Sequence, residues 1–294
     1  MTPREQGFLL LTSLLGDPER KPLTVAQFRT LAKRVQGMAA PEEKRMLRPA
    51  DLMALGYSEG DAGHILHLLS DKELLEYYLH AGRKNGCIPL TRVSEGYPGA
   101  VRLALGLDSP GCLWAKGDVG ILEHPKVALV GSRDIREENR TFAREVGRQA
   151  AIQGYTLVSG NARGADMAAQ LSCLEAGGSV ISVVADRLDS HREKERVLYL
   201  SEEGFDTAFS SIRALSRNRV IHALGEKTFV AQSRLQGGTW DGTVRNLQQR
   251  YSGVFCFNDG SAAMQELEQM GARLIGMEDL ADFENLHEAQ TAIY

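Results

Sequence analysis

Apolar and polar residues change rhythm along this chain, and each rhythm predicts a different kind of element. Up to about Arg83, apolar residues recur at steps of three and four, as in Leu10, Leu14 and Leu15 or Phe28, Leu31, Ala32 and Val35. That is the spacing of amphipathic helices. Pro22 and Pro41 punctuate this stretch. Within it, Leu52, Leu55 and Gly56 followed by Ala62 and Ile65 have the spacing of a helix–hairpin–helix unit. Such hairpins can offer N–H groups to a nucleic-acid backbone. Here the connecting Tyr57-Ser-Glu-Gly60 carries an acid and lacks a tight Gly-x-Gly turn, so the pair reads as structural. From Gly86 to Pro125, Pro89, Pro98, Pro110 and several glycines break any long helix. This segment reads as a short extension leading into a main sheet.

From Lys126 short apolar runs alternate with helical stretches. Strands are expected at Val127–Val130, Thr156–Val158, Val180–Val184, Thr228–Ala231, Val254–Phe257 and Arg273–Ile275. Helices are expected at Asn139–Ile152, at Ala165–Ala176 before Gly177-Gly178, and at Arg217–Leu224 with Ser216 as N-cap. Strands this apolar, separated by helices, imply an α/β fold with a mostly parallel sheet covered on both faces. The expected organisation is a helical domain over residues 1–85 and a sheet domain over residues 86–294, the latter including the extension at 86–125.

Composition narrows the function. The chain has 294 residues, 43% hydrophobic and 24% charged, as in an ordinary soluble domain. A formal charge of −4 excludes nucleic-acid binding through an overall positive field and leaves room only for a local basic patch. Cys87, Cys112, Cys173 and Cys256 are far apart and form no C-x-x-C or Cys/His cluster, so they read as core thiols rather than metal ligands. The apolar stretch Phe8 to Leu15 is too short for a signal peptide, and no run is long enough to span a membrane. A cytoplasmic protein without a cofactor is expected.

Three segments carry the candidate chemistry. Val127-Ala-Leu-Val-Gly-Ser-Arg133 and Leu157-Val-Ser-Gly-Asn-Ala-Arg-Gly-Ala-Asp166 each run from a buried strand through a Gly/Ser turn into a helix. Open α/β sheets bind phosphate this way, with backbone N–H groups of the turn pointed at an anion. Gly131 lets a ligand approach the backbone, Ser132 can donate to phosphate, and Arg133 supplies a bidentate fork. Asp166 either favours the helix dipole or orients the turn and accepts from a sugar hydroxyl. Neither turn has G-x-G-x-x-G spacing, which disfavours a dinucleotide. In Ser216-Arg-Asn-Arg219, Arg217 and Arg219 cannot share a helix face, so one is expected to meet a ligand and the other a structural partner. Gly237, Gly238 and Thr239 form a further phosphate-compatible turn; Trp240 beside it reads as packed over the sheet edge, with base stacking as the alternative. Arg136, Arg140, Arg144 and Arg148 repeat every four residues, a solvated helical face or, on the sharper reading, a nucleic-acid track. No nucleophile, metalloprotease or P-loop motif is present, which favours binding over catalysis.

Taken in order, Val130-Gly-Ser-Arg133, Ser159-Gly-Asn-Ala-Arg-Gly-Ala-Asp166 and Arg217-Asn-Arg219 resemble the motifs of the DNA-processing protein A family, also called DprA or Smf. The lead-in Tyr97-Pro98, Pro110 and Leu113-Trp-Ala-Lys-Gly117 matches too, as does the helical N-terminal stretch. The resemblance implies an extended Rossmann fold that binds single-stranded DNA without sequence preference. It also implies a homodimer that is not an enzyme, protects incoming single strands during transformation or recombination, and helps load the RecA recombinase onto them. Carried over residue by residue, the implied phosphate contacts are Ser132, Arg133, Ser159, Gly160, Arg163, Arg217 and Arg219. Read from the turns themselves, Gly131, Gly164, Gly237, Gly238 and Thr239 join them as candidate phosphate-binding residues, and the resemblance implies that Asp166 and Asn218 shape the site.

The chain departs from the family pattern at several points. Gln232 stands where an acid is usual, Gln236-Gly237-Gly238 replaces a Ser-Gly-Ser turn, and Asn258-Asp259 replaces Pro-Gly. The loop between Asp186 and Phe209 lacks the usual Tyr-Pro, and the sequence to Tyr294 leaves no room for a C-terminal winged helix. Gly237-Gly-Thr-Trp-Asp-Gly-Thr243 also echoes the glycines of lysine-decarboxylase-like phosphoribohydrolases while lacking their proline and glutamate. The alternative to DNA binding is therefore a nucleotide sensor or nucleotide-hydrolysing relative, and after it a scaffold whose pocket has lost its ligand.

Overall fold

The six strands expected from sequence form an unbroken run that ends at one edge of a nine-stranded sheet. The structure, a computed structural model, describes residues 1–36 and 47–287. Pro41 and the chain end at Tyr294 lie outside the described residues. The strands are β1 (Cys87–Thr91), β2 (Cys112–Lys116), β3 (Lys126–Val130), β4 (Thr156–Ser159), β5 (Val180–Val183), β6 (Val197–Ser201), β7 (Lys227–Val230), β8 (Gly253–Phe257) and β9 (Arg273–Ile275). Their order across the sheet is β1-β2-β6-β5-β4-β3-β7-β8-β9. Seven of them, β6 to β9 in that order, pair in parallel, while β2 runs antiparallel to both β1 and β6. The run β5-β4-β3-β7-β8-β9 is the 3-2-1-4-5-6 order of a Rossmann sheet. The chain reverses direction across the sheet between β3 and β7, and a crevice opens there at the strands' carboxyl ends.

Alternation along the strands fixes which helices cover which face. Val127, Leu129, Leu157, Val180 and Phe229 point to one side. They meet Phe142, Val146 and Ala150 of α7 (Glu137–Ile152) and Ala169 and Cys173 of α8 (Ala165–Glu175). Ala128, Val130, Val158, Ile181 and Val230 point to the other. There they meet Val101 of α6 (Gly99–Leu105), Val220, Ile221 and Leu224 of α10 (Asn218–Leu224), and Met264 and Leu267 of α12 (Ala262–Gln269). Trp240 of α11 (Gly238–Gln249) packs half-buried against this second core, the structural of its two readings.

The N-terminal stretch forms α1 (Pro3–Thr12), α2 (Val25–Gln36), α3 (Pro49–Ala54), α4 (Glu59–Ser70) and α5 (Lys72–Lys84). Leu14 and Leu15, expected to continue the first helix, lie beyond its end at Thr12, where Ser13 turns to extended backbone. Leu52, Ala62 and Ile65 of the α3–α4 pair are buried in a cluster of the helices' own with Leu11, Leu31 and Leu68. Other residues of α1 and α5 join the sheet core directly: Leu9, Leu75 and Tyr78 pack with Trp114 and Phe205. All four cysteines are buried and free. No helix among the described residues is long and apolar enough to cross a membrane.

The segment 86–125, read as a short extension leading into the sheet, supplies two strands of it, β1 and β2, with α6 between them. Pro89 is tolerated because β1 is the sheet's edge. The charged stretch before Phe209 hides β6, which is buried along its whole length.

Candidate nucleic-acid interface

The exits of β3, β4, β5 and β7 converge on one cleft at the point where the strand order reverses. After β3, Gly131, Ser132 and Arg133 form one wall. The Ser132 N–H donates to the Gln232 carbonyl at 3.0 Å, and its hydroxyl reaches the same oxygen at 3.3 Å. This ties the first turn to the exit of β7. Gln232, standing where the family pattern has an acid, completes the tie: its Oε1 accepts from the Arg136 N–H at 2.9 Å. Arg133 is exposed and makes no hydrogen bond or ion pair among the described residues.

After β4 the chain folds back on its own helix. Asp166, in the first turn of α8, accepts the N–H groups of Gly160 and Ala162, both at 3.1 Å. The turn requires glycine at 164, where φ is +87° and an added Cβ would collide with the carbonyls of Ser132 and Arg133. Asp166 thus shapes the turn and also lines the cleft. Burial pushes its carboxyl above the ordinary carboxylate range, against the opposing pull of Arg217 and the two N–H donors.

Arg217 sits where two helices join. The sequence pattern places an N-cap at Ser216. Instead, α9 (Ser211–Ser216) begins earlier, capped by Ser210, whose hydroxyl accepts the Arg213 N–H at 3.1 Å, and it passes into α10 through Arg217. This brings the Arg217 side chain into the crevice. Its Nη2 donates to the Gly160 carbonyl at 2.8 Å and its Nη1 to Asn218 Oδ1 at 3.2 Å, while Nε is buried without a partner among the described residues. Asn218 Nδ2 in turn donates to the Gly238 carbonyl at 3.0 Å. Arg217 and Asn218 therefore bridge the β4 turn and the start of α11. Burial lowers the Arg217 pKa and Asp166 opposes that shift; a guanidinium starts so high that it stays charged.

The cleft has two lobes. One, of about 470 Å³, is lined by Gly131, Ser132, Asp166, Asn218 and the turn Gln236-Gly237-Gly238-Thr239. The other, of about 370 Å³, is lined by Gly160, Arg163, Asp186 and Phe209. Arg133 and Arg217 line both, so the lobes are two halves of one groove with both cations where they meet.

Three residues grouped with the site from sequence, Ser159, Gly164 and Arg219, do not line the groove. Ser159 is fully buried, and its hydroxyl accepts from Gln170 Nε2 beneath the turn. Arg219 points to the opposite side of α10, where its Nη2 pairs with Glu202 at 2.8 Å and its Nη1 donates to the Ser216 carbonyl at 2.6 Å. The split between Arg217 and Arg219 follows the helix geometry: one enters the cleft and one holds structure. Gly164 supports the turn from behind. Arg163 lines the groove but faces Asp134 at 3.4 Å. The regularly spaced arginines at the N-cap of α7 and along it are all engaged: Arg136 with Asp259, Arg140 and Arg144 with Glu137, and Arg148 with Glu145. That geometry is a solvated, charge-balanced face.

Several lining residues went unread in sequence, four of them charged or titratable groups of the larger lobe. Asp134 and Arg234 flank the groove's mouth 4.0 Å apart, and Asp241 follows on α11. His222 forms part of the floor. Burial, and then Arg217, push its pKa down to about 4. Asn246 Nδ2 donates to its Nδ1 at 3.1 Å, which leaves the ring proton on Nε2. Asp134 directly follows Arg133 and could have been found there. A lone histidine five residues after Arg217 carries no such signal.

Comparison with known proteins agrees with this architecture. The sequence model of the family described as DNA recombination-mediator protein A matches residues 89–284. The DNA processing protein DprA of Streptococcus pneumoniae is 32% identical over 198 residues, covering 60% of this chain and 68% of that protein. The X-ray structure of S. pneumoniae DprA superposes with a TM-score of 0.74 over 98% of this chain and all of that one, at 23% identity. DNA processing protein A of Helicobacter pylori, solved for its single-stranded DNA binding mode, superposes with a TM-score of 0.57 at 25% identity, covering 67% of this chain and 93% of that one. With its Rossmann strand order, its arginine-bearing turns and a family match running from β1 to beyond β9, the chain belongs to the DNA recombination-mediator protein A family.

Proposed function

We propose that the groove binds the backbone of single-stranded DNA without sequence preference, as a step in DNA processing and recombination. The observation that carries this reading is the pair of cations shared by the two lobes. Arg133 is exposed and unpaired among the described residues, and Arg217 is buried with its Nε unpartnered. Charged donors held at a cleft by turns and helix starts suit a phosphate. A contact to phosphate reads no base, which accounts for the absence of sequence preference. The H. pylori relative is described by its single-stranded DNA binding mode, which supports the same ligand here.

The protein acts by binding rather than catalysis, as a cytoplasmic homodimer. It shields single strands and hands them to a RecA-type recombinase, as in natural transformation. The binding test is fluorescence anisotropy of labelled oligo-dT of increasing length, beside a matched duplex and free nucleotides. Affinity that grows with length and exceeds that for duplex supports the reading. Saturable binding of one free nucleotide, with no response to oligo-dT, transfers it to a nucleotide sensor. Light scattering tests the dimer, and the rate of recombinase filament formation on oligo-dT with and without the protein tests the hand-over.

A further inference from the structure

The groove has an apolar ridge that phosphate binding does not use. The short helix α9 lies between the two lobes, with Ala214 lining both. Phe209 lies just before it and lines one lobe; Leu215 lines the other. Ile212 and Leu215 are three residues apart, on one side of the helix. These side chains are not core: Phe209 is 55% exposed, Ile212 80% and Leu215 50%, and Leu235, between the lining residues Arg234 and Gln236, is 55% exposed. Isolated exposed apolar residues are ordinary, but Phe209 and Leu215 each line a lobe of a charged groove, and Ile212 and Leu235 are their exposed neighbours along the chain.

Resting on the reading of the groove as a single-strand site, we infer that this ridge is the nucleobase platform. The phosphates lie against Arg133 and Arg217 within the groove, and the bases turn outward onto Phe209, Ile212 and Leu215. The groove lining is polar and charged, with Arg133 and Arg217 at the join of its lobes, while Phe209, Ile212 and Leu215 are apolar. A single strand presents those two chemistries side by side, phosphate along one edge and unpaired base faces along the other. A duplex keeps its base faces stacked inside and has nothing to lay on the ridge. The ridge therefore supplies preference for single strands over duplex, which two arginines alone do not. Contact is through faces and not hydrogen-bonding edges, so it adds no sequence preference.

The experiment compares oligo-dT with an oligomer of the same length and charge whose bases are replaced by abasic tetrahydrofuran units. It uses the full chain and the variants Phe209→Ala and Ile212→Ser. All the altered residues are exposed, and a thermal melt confirms that each variant folds. The wild type is expected to bind oligo-dT about tenfold or more tightly than the abasic strand. Phe209→Ala is expected to remove most of that difference without changing the salt dependence. Equal binding of both strands by the wild type overturns the platform and leaves the phosphate groove standing. Variants that keep wild-type affinity for oligo-dT while changing oligomeric state also overturn it and make the ridge a protein contact. Failure to bind either strand overturns the groove reading together with the platform.

Discussion

Replacing Gly160 with alanine separates the position of Arg217 from its charge. Gly160 lies outside the left-handed region, so its backbone accepts alanine. The perturbation is the Cβ alone, and the three atoms nearest to it all belong to the Arg217 guanidinium, with which it would overlap. The guanidinium must leave the Gly160 carbonyl and swing into the groove. A buried hydrogen bond from a charged donor contributes about 1.5–3 kcal/mol, which bounds the stability loss because the displaced group is the end of a flexible side chain. For a chain of this size that is a fall in Tm of about 3–10 °C. The binding loss should be larger in proportion, about ten- to a hundredfold for oligo-dT, because the donor no longer sits where the two lobes meet. The charge remains, so the slope of log affinity against log salt should change little. Urea or thermal unfolding and anisotropy read the two effects separately. Wild-type affinity for oligo-dT in a folded Gly160→Ala protein would refute the argument that the placement of Arg217 matters.

Three other outcomes follow from the same geometry. Asp134→Asn removes an exposed carboxylate that faces both Arg163 and Arg234, and should tighten oligo-dT binding about two- to fivefold in an anisotropy titration. His222 is held neutral in the fold, with its pKa lowered from 6.5 to about 4, so the unfolded chain takes up its proton first as pH falls. Its contribution is fully present above pH 6.5 and is lost between there and about pH 4, to a total of about 3 kcal/mol; denaturation at stepped pH should show a flatter profile in His222→Gln. Asp259→Ala strips partners from Arg136 and the buried Asn139 amide, hydrogen-bonded at 2.5 and 2.6 Å. It should cost about 2–3 kcal/mol in urea unfolding and leave oligo-dT affinity unchanged, since neither Asp259 nor Asn139 lines the groove.

Legibility in the sequence tracked local contrast. The strands β3, β4, β5, β7, β8 and β9 are short apolar runs between polar turns, and their parallel pairing followed from the helices between them. The strand β6 was hidden because Val197–Ser201 lies between Arg192–Arg196 and Glu202-Glu203, so averaging over the segment reports charge. The pair β1–β2 was hidden by Pro89, which only an edge position permits. The turns at Gly131, Gly160 and Gly237 were readable because glycine and serine after a strand have few other uses. Side-chain direction was not readable. Nothing in Ser159-Gly160 says that the serine faces Gln170 below while the glycine carbonyl faces Arg217 above. The partner of Arg219, Glu202, is distant in sequence and lies in the segment where β6 was missed. The ridge of Phe209, Ile212 and Leu215 resembled ordinary core spacing, and only exposure in the fold set it apart.

The central claim is that a phosphate backbone lies against Arg133 and Arg217, and Arg133 gives the cleanest test because it has no partner among the described residues to disturb. Anisotropy of labelled oligo-dT across a salt series should show log affinity falling linearly with log salt in the wild type. Arg133→Ala should bind more weakly and with a slope shallower by about 0.7, the share of one phosphate contact on a single strand. An unchanged affinity and slope in a folded Arg133→Ala protein would contradict the account and move the DNA, if it binds, to another surface.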